Sequence, residues 1–249
     1  MQNILAILPA YNEEASIGDL LNNFELVVNQ HQLPLRVLVV NDGSVDRTVE
    51  VVKKFSGRLQ VDLLDNTQNG GLGKVMRDGF KYACLHLNEG DVVITMDADN
   101  SHNPNLIPGM IQLINEGGDL VIASRYRPGS KSYGLSFFRR CTGFLAGSLF
   151  MIFAPIKGVR DYTCGFRAYR SELIKRGVDH FGDRLIEENG FSCMVEILLK
   201  LNRFHPVCRE VPMVLRYDLK KGGSKMNVRK TIQTTLTVLW HYLFTSRFK

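Results

Sequence analysis

Val92-Val93-Ile94-Thr95-Met96-Asp97-Ala98-Asp99 decides the fold: a run rich in Val and Ile leads directly into two aspartates. Residues 92–96 are too few for a helix and read as a strand buried on both faces. Side chains two apart in a strand point to the same side, so Asp97 and Asp99 can converge on one hard divalent cation, Mg²⁺ or Mn²⁺. A cation held by only one or two protein carboxylates keeps positions free for diphosphate oxygens. Asp-x-Asp by itself also occurs in solvated turns, and its place at the end of a strand is what gives it weight.

Working outward, residues 4–8, 36–40, 60–64 and 120–123 are further short apolar strands. Residues 14–29, 46–55, 73–87 and 104–115 carry helical spacing of apolar positions. Strand and helix in turn predict an α/β fold, a Rossmann-like, mostly parallel sheet with helices on both faces. Such sheets bind ligands beyond the carboxyl ends of their strands, here residues 9–13, 41–44, 65–73 and 97–102. Within these, Asp42 of Asn41-Asp42-Gly43-Ser44 is placed to accept hydrogen bonds from a nucleobase or ribose, although Asp and Ser also cap helices. Asn69-Gly70-Gly71-Leu72-Gly73-Lys74 sets glycines and a lysine at a helix start, where backbone N–H groups favour phosphate, although alone such a cluster is only a loop.

The second half differs in character. The net charge of +6 divides unevenly: residues 1–124 hold 8 Lys+Arg against 16 Asp+Glu, and residues 125–249 hold 23 against 9. A basic half interleaved with apolar stretches predicts an anionic membrane surface or a phosphorylated substrate rather than nucleic acid. Residues 141–156 carry no charge but fall short of the roughly 20 residues that span a bilayer. They read as a helix at a membrane interface or in the core. Residues 189–201 read as an amphipathic helix and 208–217 as a strand. Residues 230–249 form an apolar helix with Trp240, Tyr242, Phe244 and basic ends, again marginal for spanning. Five widely spaced cysteines with no Cys-x-x-Cys pair predict reduced thiols. No basic leader precedes residues 4–8, which places the expected site of action in the cytoplasm.

Leu8-Pro9-Ala10-Tyr11-Asn12-Glu13-Glu14, Val39-Val40-Asn41-Asp42-Gly43-Ser44, the glycine cluster and Met96-Asp97-Ala98-Asp99 resemble, in that order, the family 2 inverting glycosyltransferases of GT-A fold. Ser124-Arg125-Tyr126, Arg140-Cys141-Thr142-Gly143 and Asp161-Tyr162-Thr163-Cys164-Gly165-Phe166-Arg167 extend the resemblance to the dolichol-phosphate mannose synthase and bacterial polyprenyl-phosphate hexosyltransferase branch. The resemblance implies a GT-A catalytic domain over residues 1–228, with a nucleotide-sugar half (1–124) and an acceptor half (125–228), followed by a C-terminal amphipathic helix (229–249). It implies transfer of a hexose from a GDP- or UDP-linked sugar to a polyisoprenyl phosphate at the cytoplasmic face of a membrane.

The same resemblance implies residue roles. Pro9, Tyr11, Glu13, Asp42 and Lys74 would bind the donor nucleotide. Asp97 and Asp99 would engage sugar, diphosphate and a Mg²⁺ or Mn²⁺ ion, with Ser101 standing where this branch often has a Gln ligand. Arg125, Arg140 and a basic residue within 216–225, Arg216 or Lys225 among them, would take the acceptor phosphate. Two other readings stay open: transfer to a sugar or protein hydroxyl, with Asp161 or Glu196 as base, and a silent nucleotide-sugar-binding subunit of a membrane assembly. The protein is expected to rest on the membrane through amphipathic interface helices, or to be recruited by a separate membrane subunit.

Overall fold

The structure is a computed structural model that describes residues 2–135, 137–221, 228–245 and 248; the side chains of 137–142, 144, 146 and 228 fall outside this description. Among the described residues, seven strands form one sheet: β1 (Ile4–Ala10), β2 (Leu35–Asp42), β3 (Val61–Asn66), β4 (Val92–Thr95), β5 (Leu120–Ser124), β7 (Arg167–Arg170) and β8 (Cys208–Pro212). Their order is β3-β2-β1-β4-β7-β5-β8. Every pairing is parallel except those of β7, which lies antiparallel between β4 and β5. A small second sheet joins β6 (Lys131–Tyr133) to β9 (Val214–Arg216).

β1, β4 and β5 are buried almost throughout, which is why they read as unbroken apolar runs. β3, at one edge, is only half-buried and admits Asp62 and Asp65. The helices of the first half are α1 (Ile17–His31), α2 (Thr48–Lys53), α3 (Leu72–His86) and α4 (Ile107–Asn115), the last preceded by a 3₁₀ turn at Pro104–Leu106. α1 and α2 pack together, α3 lies on β1 and β2, and α4 lies on β5, β7 and β8. Right-handed crossovers that run outward through β1-β2-β3 and then return to β4 put α3 opposite α1 and α2.

α6 (Ser171–Phe181) and α7 (Cys193–Leu201) pack on one another and on α3. Two elements differ from expectation. The strand expected over 208–217 is broken at Met213, with β8 on the main sheet and β9 on the small one. β7 carries no apolar run, because Arg167 and Arg170 bracket Ala168-Tyr169; the slot between β4 and β5 makes this a strand.

α5 (Phe137–Phe153) and α8 (Val228–Phe244) lie against each other, and α8 also meets α7. Both are partly core and partly surface. Phe150 stacks on Tyr162, while Leu145, Ile152 and Phe153 face outward. On α8, Val238 and Leu239 are buried and Leu236, Trp240 and Phe244 are exposed. Among the described residues no helix is long and apolar enough to cross a membrane. Cys84, Cys164, Cys193 and Cys208 are free thiols; burial pushes Cys164 and Cys208 up to about 12.

Candidate active site

The loops after β1, β2, β4 and β5 meet at the carboxyl edge of the sheet. The first two fasten together: the Asn12 N–H donates to Ser44 Oγ (2.8 Å), the Val45 N–H to Asn12 Oδ1 (2.8 Å) and the Glu13 N–H to Thr48 Oγ1 (2.8 Å). Pro9 and Tyr11 are half-buried there and Glu13 is buried. Asp42 accepts the Gly70 N–H on Oδ1 (2.8 Å) and the Gly71 N–H on Oδ2 (3.0 Å), so its carboxylate organises the glycine loop from β2.

The glycine cluster departs from its expected role. The Gly73 N–H, at the start of α3, donates to the Asn189 carbonyl (3.2 Å), and Gly70 and Gly71 donate to Asp42. These three amides are therefore already satisfied within the protein and do not form an open phosphate cradle. The glycines are required for close packing instead. Gly71 has φ +84°, and a Cβ there would stand 2.5 Å from the Asn189 carbonyl oxygen; a Cβ on Gly73 would overlap the Glu188 carbonyl oxygen. Lys74 turns its ammonium to Asp78 Oδ2 (2.7 Å) and Asn66 Oδ1 (2.8 Å).

The segment pressed on α3 is held from below by charges of which the sequence had singled out only Glu196, and in another role. Lys200 is fully buried; its ammonium donates to Glu196 Oε1 (2.8 Å), Glu187 Oε2 (2.8 Å) and the Arg184 carbonyl. Glu196 Oε2 accepts the Glu187 and Glu188 N–H groups at 2.9 and 2.8 Å. A buried ion pair with these further hydrogen bonds is geometrically determined, and it fixes where residues 186–190 lie against the glycine loop.

After β4, Asp99 Oδ1 accepts the Ser101 N–H (3.0 Å) and hydroxyl (2.6 Å), and Oδ2 accepts the Lys220 ammonium (2.7 Å). Burial opposes ionisation of Asp99, but the hydrogen bonds from Lys220 and Ser101 outweigh it and hold its carboxyl below the usual range. Asp97 moves the other way: burial, reinforced by the charge on Asp99, pushes it up against the opposing fields of His102, Lys220 and Arg125. Burial, the mutual charge and the Lys220 ammonium thus push the two neighbouring carboxyls in opposite directions.

The donor set suits a hard divalent cation, being made of oxygens, and an ammonium already rests on Asp99. Ser101 orients Asp99 through its hydroxyl. Among the described residues no group of three or more His, Cys, Asp and Glu gathers that could hold an ion.

Arg125 follows β5 and is the cationic counterpart. Its Nε and NH2 donate to Asp161 at 2.8 and 2.6 Å, and NH2 also donates to Thr163 Oγ1 at 2.6 Å. Asp161 is wholly buried and accepts in addition the N–H groups of Arg125 and Cys164 at 3.0 and 3.1 Å. Burial disfavours both charges, but each stabilises the other: Asp161 is held below the usual carboxylate range and Arg125 above its ordinary value. Glu210 Oε1 accepts the Arg160 and Asp161 N–H groups and so fixes the loop that carries Asp161.

Asp97 lies within electrostatic reach of Arg125, which brings the acidic and basic halves of the chain to one point. Neither Asp161 nor Glu196 stands free as a base; both are fully buried and engaged by cations. Arg216 is exposed and pairs with Asp218 at 2.8 Å. The side chain of Arg140 and the whole of Lys225 lie outside the described residues. Among the described residues of that stretch, Lys220 rather than Arg216 is the basic residue that the structure brings to the aspartates. Its signal in the sequence was only the density of Lys and Arg over 216–225.

Comparison with known proteins agrees with this geometry. The Glycosyl transferase family 2 profile matches residues 5–178. The chain is 33% identical over 92% of its length to a dolichol-phosphate mannosyltransferase of Pyrococcus furiosus, of which it spans 60%. It is 32% identical over 90% of its length to an undecaprenyl-phosphate mannosyltransferase of Micrococcus luteus, of which it spans 87%. The fold superimposes on glucosyl-3-phosphoglycerate synthase from Mycobacterium tuberculosis in complex with Mn²⁺, UDP and glucosyl-3-phosphoglycerate, with a TM-score of 0.72 at 18% identity, over 98% of this chain and 81% of that one. With its mostly parallel sheet, the family profile over residues 5–178 and these relatives, the chain belongs to glycosyl transferase family 2.

Proposed function

We propose that the protein is an inverting glycosyltransferase that moves a hexose from a nucleotide diphosphate sugar to a polyisoprenyl phosphate. The observation that carries this reading is that Asp97 and Asp99, after β4, and the Asp161-anchored guanidinium of Arg125, after β5, follow strands of one sheet at the same edge, with Asp97 within the field of Arg125. The lipid-phosphate relatives at about one-third identity support the choice of acceptor. Tyr11, Glu13 and Asp42 line the donor side. Asp97 and Asp99 would hold a Mg²⁺ or Mn²⁺ ion, which when bound supplies charge to the leaving diphosphate.

An acceptor phosphate is ionised at neutral pH, so its attack needs positioning and charge neutralisation more than a base. Arg125 suits that task because Asp161 fixes the plane of its fork while part of the side chain stays exposed. The phosphate oxygen forms a bond to the anomeric carbon as the bond to the diphosphate breaks on the opposite side, which inverts configuration with no proton left to place. Hydroxyl transfer is disfavoured because both candidate bases are sequestered. The exposed apolar sides of α5 and α8, with flanking Lys and Arg, support a peripheral seat on an anionic leaflet.

The test compares two reactions of Arg125→Ala: transfer to a short polyprenyl phosphate, and hydrolysis of the donor by water. Transfer is expected to fall by at least about 10-fold and hydrolysis by less than about threefold, on the order of one lost charged hydrogen-bonding partner. Equal losses in the two reactions overturn the assignment of Arg125 to the acceptor.

A further inference from the structure

Residues 216–221 leave β9 and cross the loop that carries the two aspartates. Three contacts tie them down. The Arg216 N–H donates to the Ser101 carbonyl (2.9 Å), Lys220 Nζ reaches Asp99 Oδ2 (2.7 Å) and Lys221 Nζ reaches Asp19 Oδ2 on α1 (2.7 Å). The three are not equivalent. The Lys221 pair is exposed on both sides, at 58% and 50%, whereas the Lys220 and Asp99 side chains are 12% and 9% exposed. Arg216 spends its guanidinium on Asp218, two residues away in the same segment. Lys220 is thus the one side chain of the segment that enters the aspartate pair.

Both oxygens of Asp99 are occupied: Oδ1 by the two donors of Ser101, Oδ2 by Lys220. The Ser101 contacts are local to the turn and leave with it only if the turn unfolds, so the ammonium is the group that can be exchanged. A divalent ion and an ammonium on one carboxylate oxygen repel, and the more highly charged ion prevails once phosphate oxygens complete its shell.

We infer that Lys220 is a resident counter-ion of Asp99 which a divalent cation displaces, so that loading the donor site releases the 216–221 strap from the carboxyl edge. This rests on the cation-binding reading of Asp97 and Asp99. While the pair is formed, the lysine neutralises Asp99 and covers it. On loading, its release frees both the strap and a cation beside the aspartates.

The experiment titrates the full chain with Mn²⁺ in the presence of UDP or GDP, following free Mn²⁺ by electron paramagnetic resonance, and in parallel follows amide exchange of residues 216–221. Lys220→Met is expected to bind Mn²⁺ at least fivefold more tightly than the wild type. Lys220→Arg, which keeps the charge, and Lys221→Met, which alters only the exposed pair, should both stay within twofold. In the wild type, exchange over 216–221 should quicken when Mn²⁺ and nucleotide are added; in Lys220→Met it should be fast from the start. Mn²⁺ binding that is equal in wild type and Lys220→Met, with unchanged exchange, overturns the displacement while leaving the cation site standing. Weaker binding in Lys220→Met also overturns it, by assigning the lysine to the nucleotide phosphates. No Mn²⁺ binding to either form removes the cation site and the inference together.

Discussion

Asp161→Asn isolates the pair that aims Arg125. The substitution preserves size but removes the charge from a wholly buried carboxylate that accepts hydrogen bonds on both oxygens. Oδ2 serves the Arg125 N–H and Nε, and Oδ1 serves Arg125 NH2 and the Cys164 N–H. Whichever way the Asn amide turns, its NH₂ faces two donors, and Arg125 keeps a buried charge without its partner. Breaking a buried pair in this way costs about 3–5 kcal/mol. With a urea m value of about 3 kcal/mol/M for a chain of this size, the midpoint should fall by about 1–1.7 M.

The pH dependence gives a second reading of the same pair. Folding depresses the Asp161 pKa, so its contribution is fully present above the unfolded carboxylate value of about 3.9. It is lost as pH falls through the lower folded value. The stability gap between wild type and Asp161→Asn should therefore be constant from pH 7 to about pH 5 and narrow below about pH 4. Urea unfolding at pH 7, 5 and 3.5 measures both effects. A gap under about 1 kcal/mol at pH 7, or one that widens in acid, refutes the assignment of Asp161 as the fixed anchor of Arg125.

Gly73→Ala should lower stability by about 1–3 kcal/mol in thermal or urea unfolding, since the new methyl meets the Glu188 carbonyl. Gly109→Ala on α4 meets no atom within 4 Å and should instead raise stability by about 0.5–1 kcal/mol. Trp240→Ser with Phe244→Ser removes two exposed rings from α8 without touching buried Val238 or Leu239. It should weaken co-sedimentation with anionic liposomes by at least about tenfold, from about 1.5–3 kcal/mol per buried aromatic, while the unfolding midpoint stays unchanged. The membrane seat on α8 is contradicted if binding persists.

The parts of the fold legible in the sequence were those where one physical demand acts alone. Strands buried on both faces need unbroken apolar runs, so β1, β2, β4 and β5 were visible, and their ends located the loops after them. β7 was not, because Arg167-Ala168-Tyr169-Arg170 becomes a strand only through its neighbours, with Arg167 donating to the Met194 and Tyr162 carbonyls in the core. At the site, Asp97 and Asp99 were legible from their place at a strand end. The glycine cluster stayed open between a phosphate site and a plain loop, because backbone amides at a helix start look alike whether they face a phosphate or the Asn189 carbonyl. The partnership of Arg125 with Asp161 spans 36 residues and that of Lys220 with Asp99 spans 121; neither separation carries a periodic signal.

The central claim is the chemistry of the acceptor. The decisive measurement incubates the protein with Mn²⁺ or Mg²⁺, a panel of GDP- and UDP-hexoses and a short polyprenyl phosphate, and reads the product by mass and ³¹P NMR. The expected result is a lipid bearing one hexose through a phosphodiester, formed by the wild type and absent with Asp99→Asn. A sugar attached to a hydroxyl, or donor hydrolysis with the lipid phosphate left as a monoester throughout the panel, contradicts it.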